Sequence, residues 1–209
     1  MFKKGFLMLS RTSFEVFNDP TLPGRLAKIQ TEVDPDFETL GEQLTQLLYP
    51  ELQETLHVHL AKHLRRHKNP PVDTWFALSS SKRGYKMMPH FEIGLWPDWL
   101  FINLTLLGDM KQRQQVATSL NLIDWQLVPA MQISSDHSSS KHEDYSQETW
   151  QAAVQRFQQV AKSDLVLGTW IHKNDDRFAN PKAIEQTIQQ QIIDLAPLYQ
   201  ELMRAYNES

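Results

Sequence analysis

Three short segments rich in aromatic and apolar residues constrain the fold of this chain more than any other feature. Residues 74–79, 90–95 and 99–107 have the length and composition of β-strands. Pro97 and Asp98, between the last two segments, are typical of a tight turn and predict a β-hairpin. These segments together predict an antiparallel sheet.

Helical patterns precede these strands. Apolar residues three and four positions apart predict a helix that begins at Asp34, with Pro35 at its first position, and ends near Tyr49. A further helix is predicted to begin at Pro50 and to end before Asn69, since two prolines follow.

The remainder of the chain mixes both kinds of element. Helices are predicted at residues 110–120, 146–162 and 181–206, and strands at residues 124–131 and 164–171. We therefore predict an α+β fold. It is a single domain over residues 1–209, with a helical N-terminal part and a largely antiparallel sheet of about five strands packed against helices.

Composition restricts the compartment and the chemistry. The chain has 209 residues and no cysteine, which excludes disulfides, thiolate metal ligands and a cysteine nucleophile. The N-terminal segment MFKKGFLMLSR has too short an apolar run for a signal peptide, and no stretch approaches membrane-spanning length. We expect a cytoplasmic protein without membrane association.

Charge is distributed unevenly along the chain. Residues 55–91 hold seven Lys or Arg residues and one acid, a net charge of +6, which leaves −10 for the rest of a chain whose total is −4. The overall acidity argues against a nonspecific nucleic-acid coat. A local positive region remains compatible with a specific anionic ligand.

The stretch LHVHLAKHLRRHK, residues 56–68, has four histidines, four cations and no acid. On the predicted helix His59, His63 and His67 would share one face, a spacing that zinc sites use. Leu60 stands where the zinc-protease motif has its catalytic Glu, and the neighbouring cations would repel a metal ion. We predict no metal and no cofactor.

Two other interpretations of this stretch stay open. Cations in the last turns of a helix are favoured by its free carbonyl groups, which would explain Arg65 and Arg66 without any function. Alternatively the stretch binds an anion together with SKRGYK, residues 81–86, where Gly84 lets the backbone turn sharply. If the element before strand 74–79 runs antiparallel to it, SKRGYK lies nearer to His59 than to the two arginines.

Other polar residues could carry chemistry. His90 and Glu92 alternate on one predicted strand and so share a face, as an acid–base pair would. Asp136 and His137 lie in a serine-rich loop. Nucleophile-elbow, Walker and dinucleotide-binding motifs are absent from the sequence, and we assign no catalytic residue.

Several blocks of the sequence resemble the YktB-like family, a group of uncharacterised bacterial proteins. The resemblance covers nearly the whole chain and implies an α+β fold and no established activity. The matching blocks are Ala61-Lys62-His63, Arg65-Arg66, Asn69-Pro70-Pro71, Asp73-Thr74-Trp75, Lys82-Arg83-Gly84-Tyr85-Lys86, Pro89-His90-Phe91 and Ile93-Gly94-Leu95-Trp96.

The leading hypothesis is binding of an anionic ligand, either RNA or a phosphorylated small molecule, through a basic site that contains histidines. One alternative is a hydrolase-type enzyme in which His63, His90, Glu92, Asp136 and His137 converge in one cleft. Another is a protein–protein module whose basic surface docks an acidic partner. The sequence does not determine the oligomeric state. The ligand-binding candidates are His59, His63, Lys82, Arg83, Tyr85, Lys86 and His90, and the secondary candidates are Arg65, Arg66, Glu92, Asp136 and His137.

Overall fold

A computed structural model describes residues 9–208. The first eight residues, MFKKGFLM, on which the expectation about a signal peptide largely rests, lie outside the described residues. Among the described residues no helix is long and apolar enough to cross a membrane.

One antiparallel sheet of seven strands organises the fold, and its strands are adjacent in the order β1-β2-β3-β4-β7-β5-β6. The α+β prediction is confirmed, with two strands more than expected. The strands are β1 (His57–Leu60), β2 (Thr74–Ser79), β3 (His90–Leu95), β4 (Trp99–Leu106), β5 (Gln132–Ser134), β6 (Glu143–Asp144) and β7 (Leu165–His172).

The described part of the chain forms five α-helices, and all except the first, which has no buried residue, supply most of the remaining core. They are α1 (Leu22–Lys28), α2 (Asp34–Leu52), α3 (Arg113–Leu120), α4 (Gln147–Gln159) and α5 (Pro181–Asn207). A 3-10 helix precedes α1, and a π-helical turn joins α1 to α2. Buried residues of these helices form one hydrophobic cluster with alternate residues of the sheet, so the helices cover one face of it.

Alternation within β4 shows how the two faces of the sheet differ. Leu100, Ile102 and Leu104 belong to the large hydrophobic cluster beneath the helices. The intervening residues Phe101 and Asn103 point to the opposite face, because successive side chains of a strand alternate. The sheet therefore has one apolar face and one mixed polar and aromatic face.

The predicted helix over residues 50–68 is wrong. Helix α2 continues through Pro50 and ends at Leu52; the next residue, Gln53, has a left-handed φ of 52°. Strand β1 follows, and its Val58 packs against the core while its histidines point the other way. The leucines four residues apart misled the helix prediction, and the last of them, Leu64, is 80% exposed.

A second predicted element is also wrong, whereas others are confirmed. Residues 124–131 contain a 3-10 turn at Trp125–Leu127, and the strand comes later, as β5. The hairpin is confirmed by two main-chain hydrogen bonds between Trp96 and Trp99. The predicted start of α4 is confirmed by a capping box between Ser146 and Thr149.

Candidate functional site

A row of paired residues crosses the sheet face that the helices leave uncovered. His59 pairs with Ala77, Ala77 with Glu92, Glu92 with Asn103, and Asn103 with Gly168. Residues that pair across antiparallel strands point to the same face, so these side chains lie next to one another. We call this surface the open face.

Asn103 occupies the space that a glycine leaves. A Cβ on Gly168 would overlap the carbonyl oxygen of Ile102 and Asn103 Oδ1. Asn103 is only 3% exposed, and within residues 9–208 its Oδ1 has no hydrogen-bond partner. A buried acceptor without a donor is unusual in a folded protein, and a ligand or water that reached Oδ1 could donate a hydrogen bond to it.

A narrow recess opens beside Asn103 on the open face. Acidic and imidazole groups meet aromatic rings at its surface, a combination that suits a ligand with both polar and planar parts. We call this the recess; its lining residues are Glu92, Trp96, Phe101, Asn103, Asp136, His137, Ser139, Val166 and Trp170.

His90 and Glu92 form a buried pair next to the recess. His90 Nδ1 lies 2.7 Å from the carbonyl oxygen of Met88, which can only accept, so Nδ1 carries a proton. His90 Nε2 lies 3.2 Å from Glu92 Oε1, and a hydrogen bond there requires one more proton on the pair. Thr105 Oγ1 donates to the other oxygen of Glu92. The predicted shared face of the two residues is confirmed.

His137 is held by Asp164, a residue that we did not identify from the sequence. Its Nδ1 lies 2.6 Å from Asp164 Oδ2, and its main-chain N–H donates to the same oxygen. Asp164 Oδ1 accepts the N–H of Gly108. Burial acts to lower the pKa of His137, but the hydrogen bond to Asp164 and the charge of Glu92 outweigh it and raise that pKa.

The 81–86 loop folds over the other side of the open face. His59 Nε2 lies 2.9 Å from the carbonyl oxygen of Ser81, and the Tyr85 ring lies 5.7 Å from that of His59 and 4.8 Å from that of His90. Tyr85 Oη accepts a hydrogen bond from Trp75 Nε1. Antiparallel pairing of β1 with β2 brings His59 to this loop, as the sequence argument required, although the paired element is a strand.

The cations of this loop remain available. Lys82, Arg83 and Lys86 are exposed, and none of them forms a salt bridge with any residue in the described part of the chain. Lys86 lies close enough to His137 to act against the rise of its pKa. The loop therefore approaches the recess from one side.

The other residues of the histidine stretch are arranged differently from the prediction. His63 has a left-handed φ of 50°, its Nε2 lies 3.2 Å from Thr74 Oγ1, and its ring meets Trp75 edge-on. Burial and the charge of Arg66 lower the pKa of His63 to about 4. Arg65 and Arg66 are exposed and lie on no helix. His59, His63 and His67 therefore do not share a helix face, and their four-residue spacing does not bring their side chains together.

Asp73 is a further functional candidate that the sequence argument missed. It is 9% exposed, and burial together with the nearby Glu92 raises its pKa to about 6, while Arg66 and His137 act in the opposite direction. The sequence could have indicated its position: Asp73 lies two residues before Trp75, and residues two apart in an extended chain point to the same face of the sheet. The same alternation in β4 could have identified Asn103.

Two broader surface grooves lie away from these residues. One, between α3 and α4, is lined mainly by glutamines and apolar residues, and the other lies beside the start of the 3-10 turn and α5. Neither contains a histidine or any candidate named from the sequence. The open face is the better candidate site because it concentrates partly buried ionisable groups.

Comparison with known proteins gives consistent matches over nearly the whole chain. The family model described as "Domain of unknown function (DUF1054)" matches residues 9–199. A "UPF0637 protein" of Latilactobacillus sakei is 39% identical over 201 residues, which are 95% of this chain and 100% of the relative. Proteins with the same description from Lactiplantibacillus plantarum and Enterococcus faecalis are 37% and 35% identical and cover 95% and 93% of this chain, and 97% of each relative.

Proposed function

The chain belongs to the DUF1054 family, and for this member we propose that the open face binds a phosphorylated small molecule whose planar head group carries N–H donors. The membership also confirms the resemblance to the YktB-like family. The observation that carries the proposal is the unpartnered Oδ1 of Asn103 at the recess.

The floor of the recess selects hydrogen-bond donors. Asn103 Oδ1 is an acceptor without a donor among the described residues, whereas the Glu92 carboxylate already bonds to His90 and Thr105; both residues are almost fully buried. An acceptor left unpaired in a buried position costs about 1–3 kcal/mol, which a donating ligand recovers. The recess has room for about one water molecule, so only a single N–H group at the edge of a ligand could enter it.

Aromatic side chains support a planar ligand beside that floor. Trp96, Phe101 and Trp170 form a cluster on the open face, separate from the core beneath the helices. His142 stacks on Trp170 with ring centroids 4.9 Å apart and an interplanar angle of 18°. Trp96, Phe101 and Trp170 are each less than 10% exposed, so a planar ligand would contact their edges at the recess, while the polar floor fixes the edge of the ligand.

Positive charge beside the recess supports the phosphate. The cations Lys82, Arg83 and Lys86 have no acidic partner among residues 9–208, although the chain as a whole is acidic. An uncompensated local charge attracts an anion and accelerates its association. A compact ligand is favoured over RNA because the cations lie on one loop rather than along an extended surface.

The first prediction tests this ligand class. Isothermal titration calorimetry with AMP, GMP, CMP and UMP should detect at least one ligand with a Kd below ~1 mM. The corresponding nucleosides should bind at least about tenfold more weakly, because they lack the group that the cations attract. The double variant Lys82→Ala/Lys86→Ala should bind the monophosphate more weakly by a similar factor.

Matched variants separate this site from general charge effects. Lys62→Ala/Lys68→Ala removes the same charge from exposed positions outside the loop and should leave affinity unchanged. Asn103→Leu should weaken binding without changing its dependence on salt. Salt-sensitive binding of a short RNA with no detectable binding of any monophosphate would contradict the proposal, since counterion release dominates nucleic-acid binding.

A hydrolase-type enzyme is the second candidate, and the His137–Asp164 pair favours it. A histidine oriented by a carboxylate is a common general base. Glu92, Asp136 and His137 line one recess and His90 adjoins it, whereas His63 contacts Trp75 instead. Release of inorganic phosphate from the same four nucleotides, abolished by His137→Gln, would favour this candidate.

A further inference from the structure

We propose that Asp136, His137 and Asp164 bind one divalent transition-metal ion at the edge of the recess. This inference goes beyond the proposed ligand binding and does not depend on it, because it concerns the cation alone. It also differs from the zinc-like spacing of His59, His63 and His67, at which the sequence analysis predicted no metal and which the structure does not place on one helix.

The three side chains already lie at nearly coordinating distances. Each offers one potential ligand atom, and these atoms lie within 4.8 Å of one another. Ligands around an ion at about 2.1 Å are separated by roughly 3–4 Å. A movement of about 1 Å in the side chains is therefore sufficient to form the site.

Main-chain and side-chain hydrogen bonds hold two of the three ligands in place. Asp164 is 7% exposed and accepts N–H groups from Gly108 and from the main chain of His137, so its carboxylate is fixed at the start of β7. His137 Nδ1 lies 2.6 Å from Asp164 Oδ2. An ion bound by both residues would take the place of the proton between these atoms, and the remaining proton of a neutral imidazole would then be on Nε2.

Asp136 completes the set from the solvent side. Its Oδ1 accepts hydrogen bonds from the main-chain N–H and the hydroxyl of Ser138, which orient the carboxylate. Asp136 is exposed, whereas Asp164 is buried. An ion could enter from solvent and keep water molecules in its open positions.

Asn103 gives an independent indication of a ligand at this place. Its buried Oδ1 has no donor among the described residues, and the residue lines the same recess as Asp136 and His137. A water molecule bound to the ion could donate to this oxygen. Glu92 in the same recess adds negative charge, while Lys86 opposes it.

The donor set indicates the class of metal. One imidazole nitrogen with two carboxylate oxygens suits Zn²⁺ or a similar first-row ion. Mg²⁺ prefers oxygen ligands and retains its water. The site should therefore bind Zn²⁺ in preference to Mg²⁺.

The second prediction is tested with the metal alone. After removal of metals with a chelator, calorimetry at neutral pH should show one Zn²⁺ bound per chain, and Mg²⁺ should bind at least about tenfold more weakly. His137→Gln and Asp136→Asn should each weaken Zn²⁺ binding by at least about tenfold. Anomalous diffraction from a Zn²⁺-soaked crystal should place the ion between these residues.

Controls in the same loop exclude adventitious binding. His142→Gln removes an imidazole whose Nδ1 lies 2.9 Å from the carbonyl oxygen of Ser140, and Asp144→Asn removes an exposed carboxylate. Neither should change Zn²⁺ affinity by more than about twofold. Because Asp136 is exposed, its variant should fold even if an Asp164 variant does not. Equal losses in His137→Gln and His142→Gln, or unchanged affinity in Asp136→Asn, would overturn the proposal.

Discussion

At the level of single residues, the open face is unusual because it buries several polar groups, of which Asn103 Oδ1 has no hydrogen-bond partner among the described residues. Asp73, His90, Glu92 and Asn103 are all less than 10% exposed. The pKa of Asp73 is raised to about 6, mainly by burial, which shows that the folded protein favours its neutral form. Groups of this kind commonly lie at functional sites rather than in structural cores.

The third prediction concerns the pH dependence of stability at Asp73. Its pKa is near 3.8 when unperturbed and about 6 in the fold, so the folded state binds the proton more tightly. The neutral form therefore stabilises the fold below pH ~4, and that contribution is lost as pH rises through about 6. Asp73→Asn removes the ionisation, so its stability relative to wild type should be greater at pH ~8 than at pH ~4, by roughly 2 kcal/mol.

Urea denaturation at the two pH values measures this difference. Asp144→Asn, on the exposed strand β6, reports the effect of removing one surface charge. If Asp73→Asn and Asp144→Asn change stability in parallel between the two pH values, burial of Asp73 does not control its ionisation.

At the level of elements, the boundary between α2 and β1 determines where the histidines lie. Helix α2 ends because Gln53 adopts a left-handed conformation, and the strand after it pairs with β2. Leu52 and Leu56 are buried in either arrangement, so their spacing fits a helix as well as the observed structure. Pairing with β2 instead places His59 on the open face.

The fourth prediction follows from the left-handed backbone at Gln53. Glycine adopts this conformation without the steric penalty of a Cβ atom, so Gln53→Gly should stabilise the protein by about 0.5–1 kcal/mol. Gln46→Gly, at an exposed position inside α2, should destabilise it by about 1 kcal/mol. Thermal and urea denaturation of both variants should give effects of opposite sign; a loss of stability in both would mean that the helix end is not where the structure places it.

At the level of the whole molecule, long-range contacts attach the N-terminal helices to the sheet side of the protein. The guanidinium of Arg25 donates three hydrogen bonds to main-chain carbonyl oxygens. Nη1 donates to Pro71 at 2.7 Å, Nη2 to Phe17 at 2.7 Å, and Nε to Asp19 at 2.9 Å. One guanidinium therefore joins three chain segments, including the loop that leads into β2.

The fifth prediction concerns this connection. Arg25→Lys keeps the charge but lacks the planar set of donors, so it should lower the free energy of unfolding by about 2 kcal/mol. Lys28→Ala removes a half-exposed ion pair with Asp19 and should change the free energy of unfolding by less than about 0.5 kcal/mol. Similar effects of the two substitutions would show that the geometry of Arg25 contributes little.

The fold class, the three central strands, the hairpin and most helices could be predicted from the sequence, because apolar periodicity and turn residues are local signals. The sequence also placed His90 and Glu92 on one face. The strand at residues 57–60 could not be predicted in this way, because it forms by pairing with β2, which lies many residues further along the chain. Only the tertiary structure brought His137 to Asp164, 27 positions away, and left Asn103 without a donor, because burial and partnership arise from packing between distant segments.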